Sequence, residues 1–284
     1  MTTENHALSP ILPGKGGALE EITLSVLQFF IFHHMQARYF LRLGSNDTQN
    51  AKTILEFCIL QLQQKRLQCN QAVEELLGPE ATFPLRPWAL IFTKNKAALE
   101  QALRAMSQDM KADGSRWEDR RWLEGIRICT VENTPQLKAV LCALHLSGNG
   151  GGGGSGSGSD LLSWIQRDHG NQPPCLIVAM DLLRLVSSIP DGNDCQDVQH
   201  DGLCKVLSLL VETSNYLTKQ KRQFWDDGLG CNIGLSTDLL ITDNNYLADR
   251  PPKEILADNS RARVIERLYN ILTAYVEWLP VGNN

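Results

Sequence analysis

Short apolar runs alternate with longer segments of helical periodicity along most of the chain. Continuous apolar runs that end in polar residues are typical of strands buried on both faces of a sheet, whereas apolar residues three and four positions apart are typical of helices. The pattern predicts strands at 38–43, 88–95, 125–133, within 174–186 and at 231–241. It predicts helices at 52–68, 96–110, 134–146 and 201–224. This alternation predicts an α/β fold with a mostly parallel central sheet flanked by helices.

The ends of the pattern are less regular. Residues 19–37 have the periodicity of an amphipathic helix, although the Phe- and Ile-rich positions 29–32 also suit a strand. Residues 262–279 predict a helix that ends in an edge strand, and Thr134 is the expected N-cap of its helix, with Pro135 in the first turn. The alternative is an all-helical repeat in which the short apolar runs are buried helix segments. The polar turns that end those runs favour strands.

A block of ten glycines and serines, GGGGGSGSGS at 150–159, divides the chain. It has the composition of a flexible linker and resembles an engineered insert that replaces a longer loop or joins two chains. We therefore predict a flexible N-terminus at 1–18 and a single domain in two halves. The first half, with the N-terminal helix, is 19–149, and the second half is 160–284.

Composition narrows the classes of function. The 284 residues carry a net charge of -5, so any contact with nucleic acid requires a local basic patch. The apolar run ITLSVLQFFIFHHM is too short to span a bilayer and lacks the flanks of a signal peptide. Eight scattered cysteines without a C-x-x-C pair indicate reduced, intracellular thiols, and the six histidines show no metal-ligand spacing.

The order of the elements carries a family resemblance. A strand, a polar loop and Lys52-Thr53 before a helical run follow the order of a nucleotide-binding P-loop. GIRICTVENTPQLKAVLCAL is similar to a third strand–helix unit, and PPCLIVAMDLLRLV to a Walker B strand. HDGLCKVLSLLVETSNYLTKQ and CNIGLSTD are similar to the helix and strand before a DNA-contacting loop. From about residue 38 to 279 the chain resembles the RecA-like P-loop core of eukaryotic recombinases, and most of all their short, divergent paralogs of the Shu-complex type.

The nucleotide loop departs from the family pattern. Lys52 and Thr53 match the Lys and Thr that bind phosphate and Mg²⁺, but Asn46 and Ala51 stand in place of the two motif glycines. Those glycines allow positive φ and a close approach of backbone N–H groups to phosphate. Asp47 would add a negative charge facing the phosphates.

Two further nucleotide elements are altered. Lys94 stands where the resemblance places a catalytic glutamate, and a lysine cannot serve as that base at neutral pH. Asp181 is displaced by one or two positions from the Walker B aspartate, which favours a turn or helix-cap role. The expected degenerate nucleotide-site residues are therefore Lys52, Thr53 and Asp181, with no catalytic residue and no ATP or Mg²⁺ cofactor. An active ATPase with an aberrant P-loop remains the alternative.

A basic stretch with aromatic neighbours, LTKQKRQFW, is the candidate DNA contact. Basic groups beside aromatic rings suit phosphate contact with base stacking, although a solvated helix C-terminus has the same composition. The residues are Lys219, Lys221, Arg222, Phe224 and Trp225.

The resemblance implies a non-catalytic, nuclear subunit of a homologous-recombination and DNA-repair mediator complex. Its implied partners are another RecA-like paralog, a recombinase and, through the complex, single-stranded or forked DNA. The alternative is an α/β or helical-repeat scaffold of an unrelated intracellular complex, such as a degenerate RecA-like subunit of an RNA-modifying assembly.

Overall fold

The computed structural model describes residues 36–44, 46–80, 86–112, 121–146, 172–186, 200–229, 236–244, 270–272 and 274–279. The predictions for the N-terminus at 1–18, for most of the helix at 19–37 and for the linker at 150–159 lie outside these residues.

Strands and helices alternate along the described chain. The strands are β1 Arg38–Leu43, β2 Ala89–Thr93, β3 Ile126–Thr130, β4 Leu176–Ala179, β5 Asp238–Asn244 and β6 Glu277–Leu279. The helices are α1 Asp47–Leu77, α2 Lys96–Ala112, α3 Thr134–Leu146, α4 Leu182–Val186 and α5 His200–Leu229. The α/β prediction is confirmed, and the all-helical alternative is wrong.

These strands form one sheet in the order β3-β2-β4-β5-β1-β6. Every neighbouring pair is parallel. Both predicted halves of the chain contribute strands, because β1 to β3 precede the Gly/Ser block and β4 to β6 follow it. The edge strand expected near residue 279 is present as β6, which pairs with β1.

Helices cover both faces of the sheet, as the fully apolar strands require. Alternate residues of β1 illustrate this arrangement, since Phe40 belongs to one buried cluster and Tyr39 and Leu41 to the other. Residues of α1 and α2 complete the Tyr39 cluster. Residues of α3, α4 and α5 complete the Phe40 cluster. The described part of the chain is thus a three-layer α/β/α structure.

Helix α1 differs most from its prediction, which placed it at 52–68 after a loop. It begins at Asp47, with the Asn46 side chain accepting a hydrogen bond from the Gln49 amide at 3.1 Å. It ends at Leu77, and Gly78 caps it with a φ of 98°, a backbone conformation that glycine adopts far more readily than other residues. The polar stretch after β1 lacks an apolar stripe and resembles a loop, but its Asn and Asp are residues that begin helices.

Two other boundaries are corrected. Helix α3 covers the predicted residues, but its N-cap is Asn133 rather than Thr134, because the Asn133 Oδ1 accepts the Gln136 amide at 3.0 Å. Strand β5 begins at Asp238, later than predicted, and continues to Asn244.

Candidate functional site

Polar side chains collect at the edge of the sheet where the parallel strands end. Asn95 follows β2, Asp181 follows β4, and Asn244 is the last residue of β5. In open α/β sheets ligands bind outside the carboxyl ends of the strands, so this edge is the place to test for a site.

The carboxylate of Asp47, in the first turn of α1, lies at the centre of this group. Its Oδ2 accepts a hydrogen bond from Asn95 Nδ2 at 2.7 Å, and its Oδ1 accepts one from Asn244 Nδ2 at 2.6 Å. Arg184 Nη1 on α4 lies 3.5 Å from Oδ2. Three separate elements therefore direct donors at one carboxylate. We call Asp47, Asn50, Asn95, Arg184 and Asn244 the carboxyl-end cluster.

Further hydrogen bonds fix the directions of the Asn95 and Asn244 side chains. Asn95 caps α2 with its Oδ1, which accepts the Ala98 amide at 3.2 Å, so its Nδ2 remains to bind Asp47. The Asn95 amide also donates to Thr93 Oγ1 at 3.0 Å. Asn50, one turn along α1, donates to Gly44 O at 2.7 Å and to Asn244 Oδ1 at 2.9 Å. The cluster joins the ends of β1, β2 and β5 to the start of α1.

Asp181 has a junction role between β4 and α4. Its φ is 56°, a left-handed conformation that Asp tolerates better than most residues. Its amide donates to Thr242 Oγ1 at 3.2 Å, and its carbonyl accepts the Leu185 amide at 3.1 Å. The carboxylate is buried, and Arg184 Nη1 lies 3.8 Å from its Oδ2. This position agrees with the turn or helix-cap role expected from the sequence.

Lys52 and Thr53 do not stand at the start of a helix. They are half-buried in the second turn of α1, five and six residues beyond Asp47. Lys52 lies about 7.5 Å along the axis from Asp47 and about 140° around it. Amides at this depth bond to carbonyls four residues back, so they are not available to a phosphate. Only residues 44–46 separate β1 from α1, fewer than a phosphate-wrapping loop contains.

The end of β2 offers no acid at the position expected for a catalytic glutamate. Lys94 directly follows β2 and is exposed. Thr93 before it is buried, with its hydroxyl 3.6 Å from Met180 Sδ. Across the described residues, no group of three or more His, Cys, Asp or Glu side chains could hold a metal ion.

The candidate DNA stretch lies in the last part of α5. Lys219 is exposed there. The backbones of Lys221, Arg222, Phe224 and Trp225 belong to the same helix, and their side chains lie outside the described structure.

The described cysteines are free thiols. Burial, with a smaller contribution from Cys175, raises the pKa of the Cys58 thiol, and burial raises the pKa of the Cys129 thiol. Raised pKa values leave little thiolate at neutral pH, so these two cysteines are poor nucleophiles.

The donors around Asp47 are not among the residues predicted from the sequence. Asn95 could have been expected there, because it closes a predicted apolar strand and such residues meet at one edge of a parallel sheet. Asn244 lies three residues beyond the strand predicted at 231–241. Nothing in the sequence pointed to Arg184 or Asn50, because each lies inside a helix and the direction of its side chain depends on the register of that helix.

Within the described part of the chain, no helix has the length and apolar character needed to cross a membrane. A scan against protein-family models and a search of curated protein sequences found no match for the chain.

Proposed function

We propose that this chain is a non-catalytic RecA-like subunit of a homologous-recombination and DNA-repair mediator complex in the nucleus. It assembles with a second RecA-like paralog and supports a recombinase on single-stranded or forked DNA. The three-layer parallel α/β structure is compatible with such a core, and the order of motifs along the chain supports this family.

The observation that carries the non-catalytic role is the short connection from β1 to α1. With only residues 44–46 between strand and helix, the backbone has no loop to wrap a phosphate, and Lys52 lies a full turn inside the helix. Two further features support a non-catalytic role. Lys94, not an acid, follows β2, and Asp181 forms the junction between β4 and α4. A core that retains its sheet without this chemistry fits an assembly role.

The partner class is tested first by isolating the tagged full-length chain from its native cells under mild conditions. The proposal expects a RecA-like paralog and a recombinase among the stoichiometric partners, identified by mass spectrometry. Stoichiometric recovery of RNA-modifying enzymes, without either protein, would contradict the recombination role and support the alternative scaffold.

DNA contact is tested on the purified complex with the triple variant Lys219→Ala, Lys221→Ala and Arg222→Ala. Each lost phosphate contact reduces the slope of log affinity against log salt by about 0.7 for single-stranded DNA, so the proposal expects a reduction of about 2. Fluorescence anisotropy with a labelled oligonucleotide measures this slope at salt concentrations from about 50 to about 200 mM.

The matched control neutralises three exposed cations elsewhere, Lys96, Arg104 and Lys205. It changes net charge equally but leaves the end of α5 intact, so its slope remains that of the unmodified complex. Equal slopes for the two triple variants would show that the α5 residues do not form the contact.

A further inference from the structure

We propose that the Asp47 carboxylate is a built-in anion that closes the carboxyl end of the sheet to phosphate groups. The inference rests on the geometry of the carboxyl-end cluster and is independent of the recombination role. The Asp47 side chain thus occupies the carboxyl end of the sheet, where parallel α/β proteins bind their ligands.

Hydrogen-bond donors and a cation from three elements converge on the Asp47 carboxylate. An acidic residue in the first turn of a helix is favourable by itself, since it faces the positive end of the helix dipole. Asp47 also accepts two hydrogen bonds from side chains outside its helix, since Asn95 Nδ2 lies 2.7 Å from one carboxylate oxygen and Asn244 Nδ2 lies 2.6 Å from the other. Arg184 adds a positive charge 3.5 Å from Oδ2. Both oxygens are thus held from outside the helix.

The Nδ2 groups of Asn95 and Asn244 in turn use Asp47 as their acceptor. The amide oxygens of Asn95 and Asn244 have other bonds, to the Ala98 amide and to Asn50 Nδ2, so these side chains are fixed with their Nδ2 groups toward the carboxylate. A phosphate approaching the start of α1 would meet a negative charge that already uses these donors. Repulsion and occupancy therefore exclude it together.

The experiment removes the internal anion and offers a small external one. Asp47→Ala removes the carboxylate and leaves its donors without their acceptor, so we expect the thermal unfolding midpoint to fall by about 5 °C. Formate matches the lost carboxylate and restores about 2 °C relative to chloride at equal ionic strength and pH. Midpoints are measured by circular dichroism in sodium chloride, sodium formate and sodium phosphate.

Two comparisons make the result specific. Asn46→Ala removes the N-cap of the same helix, because the Asn46 Oδ1 accepts the Gln49 amide. It leaves the residues of the carboxyl-end cluster unchanged. It lowers the midpoint but gains nothing specific from formate. The unmodified chain shows no phosphate effect beyond that of Asn46→Ala, because its own carboxylate fills the position.

The proposal is overturned if formate stabilises Asp47→Ala no more than Asn46→Ala, or if phosphate selectively stabilises the unmodified chain. If Asp47→Ala does not fold in chloride, refolding is repeated in formate. Recovery of folded protein only in formate supports the built-in anion, and failure in both salts counts against it, because an external anion then does not replace the carboxylate.

Discussion

Lys65 is a charged residue buried inside α1, far along the helix from the carboxyl-end cluster. Its Nζ lies 2.9 Å from Asp238 Oδ2 at the start of β5 and donates to Ser236 Oγ at 2.8 Å. Asp238 Oδ1 in turn accepts from Ser236 Oγ at 2.9 Å and from the Ala37 amide at 3.1 Å. With side-chain exposures of 10% and 5%, the pair is buried, so loss of one partner leaves the other charge buried without its counter-ion.

We predict that Lys65→Met lowers the free energy of unfolding by about 3 kcal/mol, because the apolar side chain leaves the Asp238 carboxylate buried without its cation. Urea unfolding followed by circular dichroism measures the change. The double variant Lys65→Met with Asp238→Asn should recover part of the loss, since the buried charge is then removed as well.

The control for this prediction is Lys96→Met. Lys96 also pairs with a carboxylate, Glu100 at 3.4 Å, but its side chain is 64% exposed. Its substitution should change the unfolding free energy by less than about 0.5 kcal/mol. An effect of Lys65→Met as small as that of Lys96→Met would show that the buried pair does not contribute.

At the scale of elements, the sequence predicts what depends on local periodicity and misses what depends on register. The bounds of β1 and α3 follow directly from the apolar runs, and β2 and β4 are buried along their whole length, as their apolar runs predict. The start of α1 was misplaced because its first turn is polar on every side. Of the partners of Asp47, Asn95 was predictable because it closes the apolar run of β2, whereas the contacts of Asn244 and Arg184 depend on how β5 and α4 lie against α1.

Gly44, in the connection from β1 to α1, does not have the backbone conformation of a phosphate-loop glycine. A phosphate loop needs glycine for positive φ, but among the described glycines only Gly78 has it, and a Cβ built on Gly44 meets nothing within 4 Å. We predict that Gly44→Ala leaves the free energy of unfolding unchanged or raises it by up to about 1 kcal/mol, through the lower entropy of the unfolded chain.

Gly78→Ala is the comparison at the other end of α1. At a φ of 98° a Cβ is strained, so this substitution should cost about 1 kcal/mol or more. Chemical denaturation of the two variants side by side measures both effects. A cost for Gly44→Ala as large as that for Gly78→Ala would indicate a constrained loop after β1 and would reopen the interpretation as a phosphate loop.

At the scale of the whole molecule, the strand order decides where stability is concentrated. Strands β4 and β5 each pair on both sides, and every residue in them is buried. Strand β3 pairs only with β2 among the described elements, and four of its five residues are partly or fully exposed. The sheet therefore has a protected centre at β4 and β5, which lie between β2 and β1 of the first half of the chain, and a less protected edge at β3.

Amide hydrogen exchange should show this difference. We predict that the amides of Leu239–Ile241 exchange only through global unfolding, because they are paired and buried at the centre of the sheet. Amides in Arg127–Thr130 should exchange on the order of tenfold faster or more, through local opening of the edge. Mass spectrometry of peptides covering β3 and β5 measures both rates in one sample. Equal protection of the two strands would mean that the β3 edge is covered in solution by chain outside the described residues or by a second molecule.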